Sequence, residues 1–212
     1  MDFSSFLTYL PKITELELPG ESSHEKMAPL ERRGLMKNID FDIVKPRRAA
    51  VMMLFYPKNN KPHLVLIVRN SYPGVHSSQI AFPGGKVETF DESLQQTALR
   101  ETFEEVGIAS EQIHVIRQFS DVYIPPSNFM VFPFLGYCET ELTFIPDPAE
   151  VAGIIELPLS AFFDDSNIIV KRMATSYTND IDVPSFKVGE HIVWGATAMM
   201  LSELKDVLKM VL

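Results

Sequence analysis

The stretch AFPGGKVETFDESLQQTALRETFEEVGI, from Ala81 to Ile108, restricts the fold more than any other part of the chain. A short apolar run ending at Phe82 meets Pro83, Gly84 and Gly85, so a strand must break there in a tight turn. Leu94 to Val106 then reads as one helix, with Gly107 as its stop. At about 100° per residue, Glu101, Glu104 and Glu105 share an arc of roughly 100°. Leu99, Phe103 and Val106 fall on the other side and are expected to pack inward against a sheet. Carboxylates this close repel one another, and those near the helix C-terminus also meet the negative end of its dipole. A helix built only for stability avoids this arrangement. A hard divalent cation removes the penalty, because Mg2+ or Mn2+ takes oxygen ligands. A solvated charged face is the alternative that the glutamates alone leave open. Upstream, Thr89-x-x-Glu92 fits a capping box, with Asp91 as a competing cap. Arg100, beside the cluster, can hold Glu92 or a neighbouring glutamate through a forked ion pair.

The rest of the 212 residues supplies a sheet for that helix. AAVMMLFY and HLVLIVR, joined by the turn PKNNKP, read as a hairpin. EQIHVIRQFS, NFMVFPFLGYC, EVAGIIELPLSAFF as far as Pro158, IIVKRMATSY and HIVWGATA are further strand candidates. A closing helix spans roughly residues 198–211, with Met200, Leu204, Val207, Leu208 and Val211 on one face. The economical fold is an α/β domain over residues 46–212, a mixed sheet with helices on both faces. Residues 1–45 read as an extension with local helices, in SSFLTYL before Pro11 and in KMAPLERRGLMKN. Three roles stay open for it: covering the active site, lying on the core, or helping a homodimer form. The 28 acidic against 19 basic residues argue against a nucleic-acid backbone as partner. A single cysteine, Cys138, excludes a disulfide framework and reads as a buried thiol. With no signal-peptide pattern and no apolar run long enough for a membrane, the expectation is a soluble cytoplasmic protein.

From Gly85 to Ile108 the residues resemble the signature of the Nudix hydrolases, G-x5-E-x7-R-E-U-x-E-E-x-G-U, where U is a bulky aliphatic residue. The run from Arg100 to Ile108, RETFEEVGI, matches with Thr102 at a U position. Glu92 stands ahead of Arg100 at the spacing the pattern asks, whereas six residues rather than five separate it from Gly85. The resemblance implies an α/β/α sandwich with a mixed central sheet and a catalytic loop-helix-loop. It implies that Glu101, Glu104, Glu105 and the Gly85 carbonyl bind Mg2+ or Mn2+, and that Arg100 and Glu92 form a buttressing pair. The implied reaction is attack of water on a phosphorus atom of a small-molecule diphosphate.

The preceding stretch, VLIVRNSYPGVHSSQIAFPGG, resembles that of the coenzyme A diphosphatases within this family. Arg69, Phe82, Pro83, Gly84 and Gly85 match in register, while Gly74 and Ser78 stand where the pattern has an arginine and a glycine. Arg69, His76 and Phe82 are the implied substrate contacts. Arg117, Lys171 and Arg172 are candidates, by residue type only, for the phosphate clamp that Gly74 does not supply. NFMVFPFLGY, DPAEVAGIIELPLSAFF and HIVWGATAMML resemble downstream segments of the same group. They put at Glu150 a carboxylate that orients water or acts as a base, and leave Trp194 as a core or pocket-wall aromatic. Three functions follow in order. The first is hydrolysis of coenzyme A or acyl-coenzyme A to 3',5'-ADP and a 4'-phosphopantetheine product. The second is the same chemistry on NADH, a nucleotide sugar or a dinucleotide. The third is nucleotide binding without catalysis.

Overall fold

Arg47 to Lys58 form β1, and both faces of this strand are buried from Ala49 to Pro57. A strand covered on both sides belongs in the middle of a sheet. It turns into β2 (Lys61–Arg69) through Asn59 and Asn60, whose φ angles of 49° and 57° suit a two-residue hairpin turn. On its other side β1 pairs in parallel with β7 (Phe129–Tyr137). β3 (Ile80–Ala81) and β8 (Val151–Pro158) pair with β2, and β4 (Gly84–Lys86) pairs with β1. β5 (His114–Gln118) and β6 (Val122–Ile124) pair with β7, completing a mixed eight-stranded sheet. A three-stranded antiparallel sheet runs β11 (His191–Val193), β10 (Ile181–Val188), β9 (Ile168–Met173). This computed structural model describes residues 1–32, 39–70, 79–174 and 180–212.

The helices are α1 (Phe3–Leu7), α2 (Leu10–Ile13), α3 (Glu21–His24), α4 (Phe41–Val44), α5 (Leu94–Val106), α6 (Leu159–Phe163) and α7 (Gly195–Val211). Alternation along β1 sorts them into two layers. Ala49, Val51, Met53 and Phe55 face a core that includes Phe3, Phe6, Leu10 and Ile13 of the N-terminal segment and Leu201, Leu204 and Leu208 of α7. Ala50, Met52 and Leu54 face Ala98 and Val106 of α5. The fold is therefore an α/β/α sandwich with a mixed central sheet.

Polar contacts also hold the N-terminal segment to this domain. Glu203 on α7 is fully buried; it accepts from the Gly20 N–H at 3.0 Å and from the Ser120 hydroxyl at 2.6 Å, and pairs with His24 at 3.2 Å. Burial pushes its carboxyl up, but the partners His24, Ser120 and Gly20 outweigh that and hold it below the ordinary carboxylate value. Arg117 donates to the carbonyls of Ile13 and Leu16 at 2.9 and 2.8 Å. It caps the end of α2, so it is not the phosphate clamp its residue type allowed. Lys171 and Arg172 lie on β9, and Arg172 faces Asp180 at 4.0 Å. Cys138 is buried, as its apolar neighbours suggest, and burial pushes its thiol up to about 12.

Three strands escaped the sequence pattern: the glycines read as a break, yet Gly84–Lys86 pair with β1 as β4. β6 has three residues, and β10, IDVPSFKV, carries Pro184 inside it. Proline is scarce within strands because it cannot donate to the ladder. Of KMAPLERRGLMKN, Lys26 and Met27 end the 3₁₀ turn Glu25–Met27 and residues 30–32 are helical, while 33–38 lie outside the described residues. Among the described residues, no helix is long and apolar enough to cross a membrane.

Candidate active site

The two glycines let β4 lie against both β1 and α5. Gly84 has φ of 154°, and a Cβ there would stand 2.4 Å from the Ala50 carbonyl oxygen. A Cβ on Gly85 would stand 2.4 Å from the Glu101 carboxylate. A side chain at Gly84 would drive β4 away from β1, and one at Gly85 would drive it away from the acidic helix. The Gly84 N–H, freed by this close approach, donates to Glu105 at 2.7 Å. Arg69, at the end of β2, pairs with the other oxygen of Glu105 at 3.2 Å.

Helix α5 starts where the sequence placed it, but its cap is Ser93, whose hydroxyl accepts from the Gln96 N–H at 3.1 Å. Gln96 in turn accepts from the Glu92 N–H at 2.6 Å. Thr89 and Asp91 are therefore not the cap. Asp91 instead takes a forked pair from Arg100, with Nε and Nη2 each 2.9 Å from its oxygens. It also accepts from the Thr97 hydroxyl at 2.9 Å and the Glu88 N–H at 2.9 Å. The guanidinium holds the Asp91 carboxyl down at about 2. This corrects the expected pairing of Arg100 with Glu92, which is exposed. The physical reason is the loop length. Five residues, 86–90, separate Gly85 from Asp91, so the extra residue of the chain falls after the buttressing acid, not before it.

The remaining nitrogen of Arg100, Nη1, lies 2.8 Å from Glu101 and 2.8 Å from Glu104. Its Nη2 also donates to the Lys86 carbonyl at 3.1 Å. Glu104 is half exposed, Glu101 partly buried and Glu105 1% exposed. Burial pushes the Glu105 carboxyl up to about 7, against the Gly84 N–H and Arg69, and raises Glu101 as well. Glu150 is exposed at the entrance to β8, and its charge adds to the upward push on both. Among the described residues, no three His, Cys, Asp or Glu side chains are gathered closely enough to enclose a metal ion. The donor types nevertheless fit a hard divalent cation: buried carboxylates whose ionised form is disfavoured, beside a backbone stripped of its Cβ.

The inward face of α5 is only partly the expected one: Val106 and Leu99 pack inward, but Phe103 does not. Thr97, Ala98, Thr102, Glu105 and Val106 are buried, Leu99 is partly buried, and Phe103 is 56% exposed. Glu105 sits near the centre of the buried arc because Gly84 and Arg69 satisfy it. Phe103, on the far side of the helix, is left to solvent. Thr102 at the aliphatic position of the signature is fully buried and donates its hydroxyl to the Ala98 carbonyl at 2.7 Å.

A cleft of about 630 Å³ opens beside Gly84 and Gly85 on the α7 side of the sheet. Phe82, Ile80, Phe129, Ile124, Trp194 and Met200 line it, together with Arg32, Arg69 and Lys86. No Asp or Glu stands among its described lining residues, in a chain of net charge -9. Of the expected substrate contacts, Arg69 and Phe82 line this cleft, whereas His76, with Gly74 and Ser78, lies outside the described residues. Lys171 and Arg172 are not among the lining residues. Arg32 was not singled out in the sequence, whereas a backbone amide of Gly84-Gly85 near the glutamates was expected from the tight turn. Nothing in the sequence around Arg32 marks it.

A family model described as the NUDIX domain matches residues 46–174. The chain is 34% identical over 161 residues to the uncharacterized Nudix hydrolase NudL of Photorhabdus laumondii, covering 74% of this chain and 83% of that protein. It is 30% identical over 185 residues to the mitochondrial Nudix hydrolase 15 of Arabidopsis thaliana, covering 84% of this chain and 61% of that longer protein. The crystal structure of a Nudix hydrolase from M. smegmatis, RenU, matches the fold with a TM-score of 0.54 at 16% identity, over 79% of this chain and 88% of that one. The glycine turn, the acidic helix and these similarities agree: the chain belongs to the Nudix hydrolases, a family of enzymes that cleave diphosphate linkages.

Proposed function

We propose that this protein is a divalent-metal-dependent diphosphatase whose substrate is coenzyme A or an acyl derivative, cleaved to 3',5'-ADP and a 4'-phosphopantetheine product. The observation that carries the reading is the cleft beside Gly84 and Gly85, which joins apolar and aromatic walls to cations without a carboxylate. Such a lining suits a long ligand that is apolar in part and anionic in part. The upstream match at Arg69 and Phe82 and the downstream segments support the same choice.

In this reading Glu101, Glu104, Glu105 and the Gly85 carbonyl would hold Mg2+ or Mn2+. Such ions neutralise phosphate charge and make bound water more acidic. Asp91 orients Arg100, and Arg100 restrains Glu101 and Glu104 in the absence of cation. Gly84 and Arg69 fix the two oxygens of Glu105 in different directions, so this carboxylate cannot rotate freely. Arg69 touches both Glu105 and the cleft, which suits it to bring a diphosphate oxygen up to the acidic helix. In the same reading Glu150, exposed beside Val151, the strand partner of Arg69, would take a proton from the attacking water.

The test is a panel of coenzyme A, dephospho-coenzyme A, NADH, NADPH, nucleotide sugars and dinucleotides, incubated with Mg2+ or Mn2+, with product masses measured. Coenzyme A as the best substrate, giving 3',5'-ADP, supports the proposal. A nucleotide sugar or NADH preferred by tenfold retires the coenzyme while keeping the chemistry. Intact ligands across the panel would leave a binding protein.

A further inference from the structure

The chain that leads into β8 is fastened to the acidic helix. The last carbonyls of a helix have no partner within it. Here the Val106 carbonyl accepts from the Ile145 N–H at 3.0 Å, and the Glu105 carbonyl from the Asp147 N–H at 3.1 Å. Leu142 and Phe144 pack against the core layer that contains Ala98 and Val106 of α5. The chain then turns over residues 147–150, with Pro148 at a position where its fixed φ suits a turn. The Asp147 carbonyl accepts from the Glu150 N–H at 3.1 Å, and the Asp147 carboxylate from the Ala149 N–H at 2.9 Å. Glu150 therefore ends a turn whose first residue is bonded to the backbone of Glu105.

A second fastening comes from Asn70, the residue after Arg69. Its side-chain amide donates to the Pro148 carbonyl at 2.8 Å and the Ala149 carbonyl at 3.2 Å. Its backbone N–H donates to the Glu150 carbonyl at 2.7 Å. The β2–β8 ladder slips by one residue at this point, since Val68 faces Gly153 while Arg69 faces Val151. Such a bulge re-aims the side chains beside it. Two successive residues of β2 thus reach two parts of one site: Arg69 the Glu105 carboxylate, Asn70 the turn that carries Glu150. Glu150 itself is exposed, and its charge acts on both Glu101 and Glu105. A carboxylate on an exposed turn keeps one direction only if the turn is held, and one amide on two consecutive carbonyls holds it in orientation as well as position.

We infer that Asn70 is a positioning residue for the hydrolytic step, which holds the 147–150 turn so that the Glu150 carboxylate faces the acidic helix. This rests on the reading of Glu150 as the acceptor of the water proton. A displacement of about 1 Å at a reacting group costs up to about 100-fold in rate. Alanine at position 70 keeps the backbone bond to Glu150 and loses both side-chain bonds, whereas serine retains a donor.

The experiment is a double-mutant cycle on the best-cleaved diphosphate, with saturating Mg2+: wild type, Asn70→Ala, Glu150→Gln and the variant carrying both, with Asn70→Ser beside them. Glu150→Gln should lower kcat by about 100-fold or more. Asn70→Ala should lower kcat by about 10- to 100-fold and leave KM within about threefold. Asn70→Ser should recover part of that loss. In the double variant, kcat should stay within about twofold of Glu150→Gln alone, because a residue that acts through Glu150 has nothing left to position. Should the alanine variant not fold, Asn70→Ser carries the same cycle. Losses that multiply, a change in KM without one in kcat, or an Asn70→Ala rate equal to wild type would retire Asn70 and keep the role of Glu150. A Glu150→Gln rate equal to wild type would retire both, as would failure to cleave any diphosphate.

Discussion

Replacing Glu105 with glutamine should make the metal-free protein more stable at pH 8 while removing its activity. The carboxyl lies at about 7 in the fold, against an ordinary 4.5. Between those values the folded protein keeps a proton that the unfolded chain has lost, so stability falls as pH rises through this window. Above it, holding the ionised group in place costs on the order of 3 kcal/mol. Glutamine cannot ionise, and its oxygen can still accept from the Gly84 N–H. Arg69 loses its anion, but it is partly exposed and can be hydrated. Urea unfolding in a chelator at pH 5 and pH 8 measures the difference. Wild type and variant should be close at pH 5, with the variant ahead by up to about 3 kcal/mol at pH 8. Adding Mg2+ should then stabilise wild type by mass action and leave the variant nearly unchanged. A variant less stable than wild type at pH 8 without metal would refute the reasoning, because the hydrogen bonds would then outweigh the buried charge.

Asp91→Asn should lower kcat/KM far more than Glu92→Gln, since Arg100 is forked onto Asp91 and Glu92 is exposed; steady-state rates on the best substrate compare them. Phe103→Ala should change unfolding free energy by less than about 0.5 kcal/mol, whereas Val106→Ala should cost about 2 kcal/mol, both read by urea titration. Glu203 is held below its ordinary 4.5, so its contribution is present above that value and is lost as pH falls through the folded one. Glu203→Gln should therefore flatten the acid side of the stability curve, which thermal melts between pH 3 and pH 6 would show.

The helix over residues 94–106, its glycine stop and the central hairpin were legible because each depends on local pattern: 3.6-residue periodicity, a turn residue, alternation along a strand. What failed depends on partners distant in the sequence. Phe103 looked like core and Glu105 like surface, yet Gly84 and Arg69 make it possible to bury the carboxylate, and Phe103 is left more than half exposed. Arg117 looked like a free cation until the carbonyls of Ile13 and Leu16 reached it from the other end of the chain. Asp91 was visible in the spacing from Gly85, but counting back from Arg100 drew attention to Glu92 instead. Arg32 had no local signature, since its neighbours say nothing about which wall it completes.

The alternation along β1 gives this fold two independent dials. Ala49 and Val51 border the cleft, while Ala50 and Met52, which alternate with them, lie beneath the acidic helix. The two families of side chains share a backbone but no common space. Ala49 can be changed to admit a different ligand body without touching Glu101 or Glu105, whereas the Val51 Cγ1 already lies where a side chain on Gly84 would begin. Ala50 has no such freedom, for its carbonyl already stands where a side chain on Gly84 would go. Substrate range can thus drift through substitution at Ala49, while the residues that face the acidic helix keep the hydrolytic centre fixed.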